Sequence, residues 1–451
     1  MDSFSLIVKA VEASRERHGI AGGVLVGLSG GADSVALLRA LCALGQPSRL
    51  MLHAAYVHHG LRPEAEEEAD FCRALCDQLG VPFAVLRVQV PDSGSLEAAA
   101  REARYAALTA EMRRTDCTVL ALAHHQDDQA ETLLLHLLHG AGTAGMGGMA
   151  EYRAPLWRPL LSLRRETLRA ALTELGQPWR EDASNADTAY ARNYLRHCVL
   201  PQIEQAFPSA VSALSRSAEL LRAENEDWIT RADTWLRQYG SGGPWHFVLA
   251  EPLQMASVAF QRHILRRYAQ RLGMELAFSH VEALRDLLRQ PPGSACNLPG
   301  DAHALRTRER LHFLTPDRQS AVWPRTLFRV EPFESQTGDG KRTQAFPAEI
   351  WERAVLRTRE QGDRIVPFGM KGRRRLKDFF LDHGIDEPFR QDWPLLCDGS
   401  DVLWVVGVGA SERARLRPGQ AGVFVTFTGD LPDQILPWDE EEKHHAAVQT
   451  V

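Results

Sequence analysis

The sequence predicts an α/β protein: a doubly wound parallel sheet at the N-terminus, then a helical central domain and a smaller mixed α+β C-terminal domain. Three observations lead there. Apolar runs alternate with helix-spaced segments up to residue 140, a glycine-rich turn closes the first run, and the pattern becomes helical from about residue 160. Strands alternating with helices of this length imply βαβ units, helices on both faces of the sheet, and ligands at the carboxyl ends of its strands.

VLVGL (24–28) reads as a buried strand and SVALLRALCALG (34–45) as its helix, with a glycine stop. LHAAYVHH (52–59) is a second strand, leading to an acidic-faced helix from Pro63 to Leu79. FAVLRV (83–88) is a third, followed by a helix across 95–114. TVLALA (118–123) is a fourth and runs directly into a helix from Gln126 to Leu138. Beyond the glycine-rich GAGTAGMGGM (140–149), residues 160–240 read mostly helical, with one long helix from Pro208 to Gln238. Residues 250–290 give two more helices, and short strands follow near 295–314. TPDRQSAVWP (315–324) reads as a linker, and 325–430 mixes strands with one helix near 374–383. The expected domains are 1–210, 211–318 and 325–430, with residues 431–451 an acidic, disordered tail.

Composition limits the classes. At 451 residues the chain exceeds what one core sustains, about 250–300 residues, so several domains are expected. Its 44% hydrophobic and 24% charged residues are those of an ordinary globular protein. No apolar run approaches the roughly 20 residues of a membrane-spanning helix, and MDSFSLIVKAVEASRERHG lacks the cleavage site of a signal peptide. Seven scattered cysteines without a C-x-x-C pair argue against a disulfide framework or structural zinc, and for the reducing cytoplasm. A net charge of −6 does not exclude a nucleic-acid partner, because phosphate binding needs only a local basic surface. Five of the 52 basic residues are lysines, which coding bias explains as well as phosphate recognition does.

The chemistry gathers in two strings. Ser29-Gly30-Gly31-Ala32-Asp33-Ser34 falls where the first strand meets its helix; glycines there let backbone N–H groups approach an anion, and the helix N-terminus favours negative charge. No lysine follows, so it is not a Walker P-loop, nor is it G-x-G-x-x-G. Asp33 among phosphate donors points either to a Mg²⁺ between it and the phosphates or to a helix cap. The second string, His124-His125-Gln126-Asp127-Asp128-Gln129-Ala130-Glu131-Thr132, ends the fourth strand and opens its helix. Asp127 and Glu131 are four apart and Asp128 and Glu131 three apart, so the carboxylates can share a face. Three unpaired like charges at this spacing call for a cation; a solvated acidic face and a two-metal site are the alternatives.

S-G-G-x-D-S after a first strand resembles the PP-loop of the N-type ATP pyrophosphatases, and the His124–Thr132 string resembles the H-H-x-D-D-Q-x-E-T motif of the tRNA(Ile)-lysidine synthetases. Val57-His58-His59-Gly60-Leu61-Arg62, Arg101-x-x-Arg104-Tyr105 and the glycines at 140, 142, 145 and 148 are similar to further motifs of that family. So are Arg158-Pro159-Leu160-Leu161, Trp179, Asp182-x-Ser184-Asn185-x-Asp187 and Tyr190-x-Arg192-Asn193-x-x-Arg196. His139 stands where the family has arginine, and Met146 where it has leucine. Near the C-terminus, Arg359-x-x-Gly362-Asp363-Arg364 and Lys371-Gly372-Arg373-Arg374-Arg375-Leu376-Lys377 resemble the family's basic tRNA-binding domain.

The resemblance implies ATP-dependent ligation of free L-lysine to the wobble cytidine of tRNA(Ile) with a CAU anticodon, with Mg²⁺ as cofactor. Ser29, Gly30, Gly31, Ala32 and Ser34 would hold phosphates and Asp33 the metal. Asp127, Asp128, Glu131 and nearby His124 would bind and deprotonate the lysine. Arg192, Arg196, Lys371, Arg373, Arg374, Arg375 and Lys377 would contact the tRNA. No membrane contact is expected; the oligomeric state is open, a homodimer being one option. A tRNA thiolation enzyme of the same ATP class would need C-x-x-C pairs, and an ammonia-using amide synthetase would need an ammonia source. A tRNA-binding module without turnover is the non-enzymatic alternative.

Overall fold

The computed structural model describes residues 2–44, 50–58, 64–89, 96–181, 187–316, 321–336 and 338–436. His59–Arg62, Asp182, Ser184, Asn185 and residues 437–451, which the motifs and the tail include, lie outside the described residues. The chain divides into two compact units, Met1–Glu226 and Asp227–Val451.

The first unit opens with α1 (Ser3–Arg17), whose Ile7, Val11 and Ser14 are buried. The Ser14 hydroxyl accepts a hydrogen bond from the indole of Trp157 at 2.9 Å, so this helix is part of the core. Then come β1 (Gly22–Gly27), α2 (Ala32–Leu44), β2 (Leu50–His58), α3 (Glu64–Leu79), β3 (Phe83–Arg87), α4 (Leu96–Arg114), β4 (Val119–Ala121) and α5 (Gln126–Leu138). Each expected strand and helix of this region is present, with ends shifted by a few residues at most. After α6 (Thr143–Met146), the hairpin β5 (Tyr152–Arg153) and β6 (Leu156–Trp157) completes a sheet of order β3-β2-β1-β4-β6-β5. All neighbours are parallel except β5 and β6. Side chains alternate across β1: Val24 and Val26 join the core formed with α1, α2 and α3, while Leu25 packs with Leu108 and Met112 of α4 on the other face.

The strand order matters most for function. The chain winds outward from β1 to β2 and β3, then returns to place β4 on the opposite side of β1. The loops after β1 and β4 therefore diverge at the topological switch point, where such sheets bind ligands. Beyond the sheet lie α7 (Arg165–Glu174), α8 (Ala191–Tyr194), a π-helical turn (Leu195–Val199), α9 (Leu200–Ala206) and the long α10 (Ala210–Tyr239).

In the second unit, β7 (Phe247–Leu249), α11 (Ala250–Met255), α12 (Val258–Arg271), α13 (Phe278–Leu287), β8 (Ala295–Asn297), β9 (His303–Arg306) and β10 (Arg310–Leu314) form a helical layer on a sheet of order β7-β10-β9-β8. Residues 250–290 thus hold three helices rather than the expected two, because the extended Ala256 and the Ser257 cap separate α11 from α12. The rest comprises β11 (Phe328–Pro332), β12 (Thr343–Pro347), α14 (Ala348–Arg353), β13 (Val355–Arg357), β14 (Arg364–Ile365), β15 (Arg374–Arg375), α15 (Leu376–Asp382), β16 (Leu395–Asp398), β17 (Asp401–Val405), β18 (Gly409–Ala410) and β19 (Gly422–Phe427). These build an antiparallel β11-β19-β12 sheet and a mixed β13-β16-β17-β14-β15 sheet around buried Trp351, Trp393, Trp404, Phe346 and Phe380. Asp386 ties the two parts of this unit together, accepting from Thr307 Oγ1 at 3.0 Å and Arg310 Nη1 at 3.1 Å.

Among the described residues no helix is long and apolar enough to cross a membrane. The seven cysteines are free.

Candidate active site

The turn between β1 and α2 is self-braced. The Ser34 hydroxyl accepts from Ser29 N at 3.1 Å, lies 3.1 Å from the Ser29 hydroxyl and donates to Gly31 O at 3.0 Å. Gly30 has φ +80°, and its carbonyl accepts from Arg180 N at 2.9 Å. A Cβ there would meet Cys72 Sγ at 3.4 Å, an ordinary contact, so it is the backbone conformation that requires glycine. Ala32 and Asp33 begin α2, whose free N–H groups face the turn. Ser29–Ser34, expected as a phosphate cradle, thus form an internally hydrogen-bonded turn at a helix N-terminus, a geometry that suits an anion.

His125, not proposed from the sequence, is the hub linking this loop to the second string. It is the N-cap of α5: its Nδ1 accepts from Asp128 N at 3.3 Å, and Asp128 Oδ2 accepts from His125 N at 3.0 Å. That reciprocal pair is a capping box built with histidine in place of serine or threonine. With Nδ1 accepting, the ring proton belongs on Nε2, which lies 3.4 Å from Asp33 Oδ2. Burial pushes the His125 pKa down, but Asp128, Asp33 and Asp127 more than reverse this and raise it. Burial likewise pushes Asp33 up, and His125, Arg165 and Arg196 overcome it and hold the carboxylate below its usual range. The capping spacing His125-x-x-Asp128 was readable; histidine is simply a rare cap.

The three carboxylates of α5 do not share one face, which corrects the expectation. Asp127 turns toward α7, where Oδ2 accepts from the first helical N–H, Arg165 N, at 2.8 Å and Oδ1 accepts from Arg164 Nη2 at 3.1 Å. Only Asp128 and Glu131 stay together, and the cations that neutralise them come from the protein. Arg192 Nε donates to Glu131 Oε2 at 2.9 Å and its Nη2 to Asp128 Oδ1 at 3.1 Å. Arg196 Nε donates to Glu131 Oε1 at 2.6 Å and its Nη2 to Asp128 Oδ1 at 3.0 Å. Arg192 and Arg196, expected on the RNA surface, therefore face inward. A buried carboxylate pair demands compensating charge, and α8 with its π-helical turn presents both arginines to α5.

His124 also departs from expectation. Its Nδ1 is buried without a hydrogen-bond partner among the described residues. Burial, with Arg158, Arg192, Arg104 and Arg101 adding to it, pushes its pKa well below the usual histidine value. It is a neutral imidazole in cationic surroundings, unlike the anionic surroundings of His125.

The glycine-rich segment after α5 is clamped beside these groups. The Gln129 amide donates to Met149 O at 2.8 Å and accepts from Met149 N at 2.7 Å, while Arg222 Nη1 donates to Met149 O at 2.7 Å. His139 ends α5 as its C-cap. Cys72 packs beneath Gly30 and Cys76 is buried on the same helix; burial pushes both thiols up to about 12, so neither supplies a thiolate nucleophile near neutral pH.

The basic run of the second unit is split rather than gathered. Arg374 and Arg375 are neighbours on β15 and point to opposite faces. Arg374 Nη1 lies 2.5 Å from Asp382 and Arg373 Nη2 lies 3.3 Å from Asp401. Lys371, Arg375 and Lys377 are exposed.

No cluster of three or more His, Cys, Asp or Glu arranged to hold a metal occurs among the described residues. Asp33 fits Mg²⁺ in another way. Its Oδ1 is buried with no hydrogen-bond partner among the described residues, at the mouth of the anion site, and Mg²⁺ typically takes one or two carboxylates plus substrate phosphates.

A doubly wound sheet with a Ser-Gly-Gly-x-Asp-Ser turn at its switch point defines a PP-loop domain protein, and the PP-loop domain model matches residues 8–203. A TilS substrate binding domain model matches residues 250–312 and a TilS substrate C-terminal domain model residues 354–426. The tRNA(Ile)-lysidine synthase of Chromobacterium violaceum is 38% identical over 421 residues, 86% of this chain and 92% of the relative. That of Aromatoleum aromaticum is 36% identical over 442 residues, 94% of this chain and 100% of the relative. That of Geobacter sulfurreducens is 33% identical over 457 residues, 93% of this chain and 96% of the relative. The chain belongs to the tRNA(Ile)-lysidine synthase family.

Proposed function

We propose that the protein ligates free L-lysine to C2 of the wobble cytidine of tRNA(Ile) with a CAU anticodon, in the cytoplasm, converting ATP to AMP and diphosphate. The product reads AUA in place of AUG. The observation that carries this reading is the adjacency, through His125, of an ATP-type anion cradle and a buried Asp128–Glu131 pair.

The reaction has two displacements. The C2 carbonyl oxygen of the cytidine attacks the α-phosphorus of ATP, diphosphate leaves, and C2 becomes electrophilic. The lysine ε-nitrogen then attacks C2, the C–O bond breaks and AMP leaves. Ser29, Ser34 and the N–H groups of Gly30, Gly31 and Ala32 hold the phosphates. Asp33 would hold Mg²⁺, which would supply charge neutralisation at the phosphates, and His125 fixes the orientation of Asp33.

Lysine binds at Asp128 and Glu131 by exchange. Both carboxylates are already paired with guanidinium groups, so an entering ammonium replaces one of them. Arg192, 31% exposed against 17% for Arg196, is the group that yields. The ammonium has an intrinsic pKa of about 10.4 and becomes nucleophilic only after losing a proton, which Asp128 is placed to take. Neutral His124 and the arginines around it form the cationic side of the cleft, suited to the RNA backbone. The parts at 211–318 and 325–430 bind the tRNA body, with Lys371, Arg375 and Lys377 as exposed phosphate contacts. The target base leaves its stack to enter.

The test is transfer of radiolabelled lysine to a tRNA(Ile) transcript with a CAU anticodon, with and without ATP, against the methionine tRNA of the same anticodon. Label on the isoleucine transcript alone, and only with ATP, is expected. No label from a folded, ATP-binding protein would overturn the reading.

A further inference from the structure

The second unit contains a cavity of about 940 Å³, within the size range of small-molecule sites. Of the residues discussed above, Arg374 alone contributes to its lining. Its walls come from the β11–β12 connection, the segment after β14, α15 and the loop before β19.

Its surface combines two properties. One is flat and apolar. Phe368 is 55% exposed and Met370, close by in sequence, 52% exposed, while the exposed His383 ring covers the buried Phe379, with centroids 4.1 Å apart and planes tilted by 32°. Phe368 and Met370, large apolar side chains left open inside a concave site, mark a surface built to be covered. The other is cationic. Lys341, Arg374, Arg415 and Arg417 all reach the cavity, and the Arg415 guanidinium lies 5.4 Å over the Phe368 ring. Arg374 and Arg415 have acidic partners, Asp382 and Glu412, whereas Lys341 and Arg417 have no ion pair among the described residues. Among the described residues Asp339 is the carboxylate of the lining, and it is occupied: Oδ1 accepts from the N–H groups of Lys341, Arg342 and Thr343, each at 2.8 Å. Positive charge therefore dominates the cavity.

We infer that this cavity binds an unpaired ribonucleotide of the RNA substrate, its base stacked on Phe368 or on His383 and its phosphate held by Lys341 and Arg417. The rim charge matches a phosphodiester, and the aromatic floor matches a base. An acidic peptide would use the rim and leave the floor bare. A duplex is excluded from stacking because its base faces are already covered, whereas unpaired bases stack on aromatic side chains whatever their sequence. The inference takes the identity of the polymer from the tRNA reading above and is independent of the ligation chemistry.

The test uses the full-length protein and fluorescence anisotropy with two probes, a fluorescein-labelled single-stranded tetraribonucleotide and a hairpin whose four-base-pair stem is closed by a non-nucleotide linker, so that it has no unpaired base. Phe368→Ala is expected to weaken tetranucleotide binding about tenfold, the loss of one stacked base, and to leave hairpin binding unchanged. Arg417→Ala is expected to lower the salt-dependence slope by about one phosphate contact. Val355→Ala, exposed and outside the lining, is the control. Both test residues are exposed, so unchanged melting temperatures verify folding. Unaltered tetranucleotide affinity in both variants, or an equal loss on the hairpin, overturns the inference. Lysine transfer, run in parallel on the unmodified protein, reports separately on the ligation reading.

Discussion

Glu131, 1% exposed, gives both carboxylate oxygens to Arg196, with Nε 2.6 Å from Oε1 and Nη2 2.9 Å from Oε2. The bidentate pair is the core of a four-membered network, because Arg192 also donates to Glu131 and Arg196 also donates to Asp128. Arg196→Ala or Glu131→Ala alone unbalances the charge of this network, whose remaining members compensate in part, and is expected to cost about 1–3 kcal/mol of stability. Replacing both by apolar residues is expected to cost less than the two single changes added together. Urea denaturation of the two single variants and the double variant measures the coupling. Additive losses would show that the pair contributes no mutual stabilisation.

His125 gives the site a pH dependence of definite sign. Its pKa is raised above the unfolded value of about 6.5 by Asp128, Asp33 and Asp127, acting against burial. The stabilisation is then fully present below pH 6.5 and is lost as pH rises through the folded pKa. His125→Asn keeps a side-chain acceptor for the cap but removes the titration. The unmodified protein is expected to lose more melting temperature between pH 6 and pH 8.5 than this variant. Parallel melting curves across that range would contradict the assignment.

The sheet was legible because its strands are continuous apolar runs and its helices carry regular spacing, so βαβ order followed from pattern alone. The meeting of the two motif strings was legible too, since both end strands, and His125 of one lies 3.4 Å from Asp33 of the other. The partners of the carboxylates were not. Helical spacing places Asp127, Asp128 and Glu131 near one another, but it cannot tell that Arg165 N captures Asp127 from another helix, 2.8 Å away. Nor can it tell that Arg192 and Arg196, more than 60 positions beyond Glu131, return to neutralise it. His124 and His125 are adjacent in sequence yet have oppositely shifted pKa values, because one meets arginines and the other carboxylates.

Asp127 and Asp128 are adjacent carboxylates with different work, and kinetics can separate them. Asp127 anchors the start of α7, so Asp127→Ala is expected to cost about 1–2 kcal/mol of stability, as lost helix caps do. Lysine transfer, measured below the unfolding temperature, is expected to fall less than about tenfold. Asp128→Asn retains shape and loses charge at the proposed lysine site, and is expected to lower transfer about 100-fold with a smaller change in melting temperature. Comparable kinetic losses at the two positions would return Asp127 to the lysine site.

Asp33 tests the metal. Its Oδ1 is a buried acceptor with no hydrogen-bond partner among the described residues, while Oδ2 lies 3.4 Å from His125 Nε2. A carboxylate held ionised beside a phosphate cradle repels ATP unless a cation stands between them. Magnesium is therefore expected to tighten ATP binding to the unmodified protein, and Asp33→Asn to abolish most of that enhancement by removing both the repulsion and the metal ligand. The same variant is expected to bind metal-free ATP at least as well as the unmodified protein, which a general loss of folding would not produce. Calorimetric titrations of ATP with and without Mg²⁺ separate these outcomes. An unchanged magnesium enhancement in Asp33→Asn would leave Asp33 as a partner of His125 and nothing more.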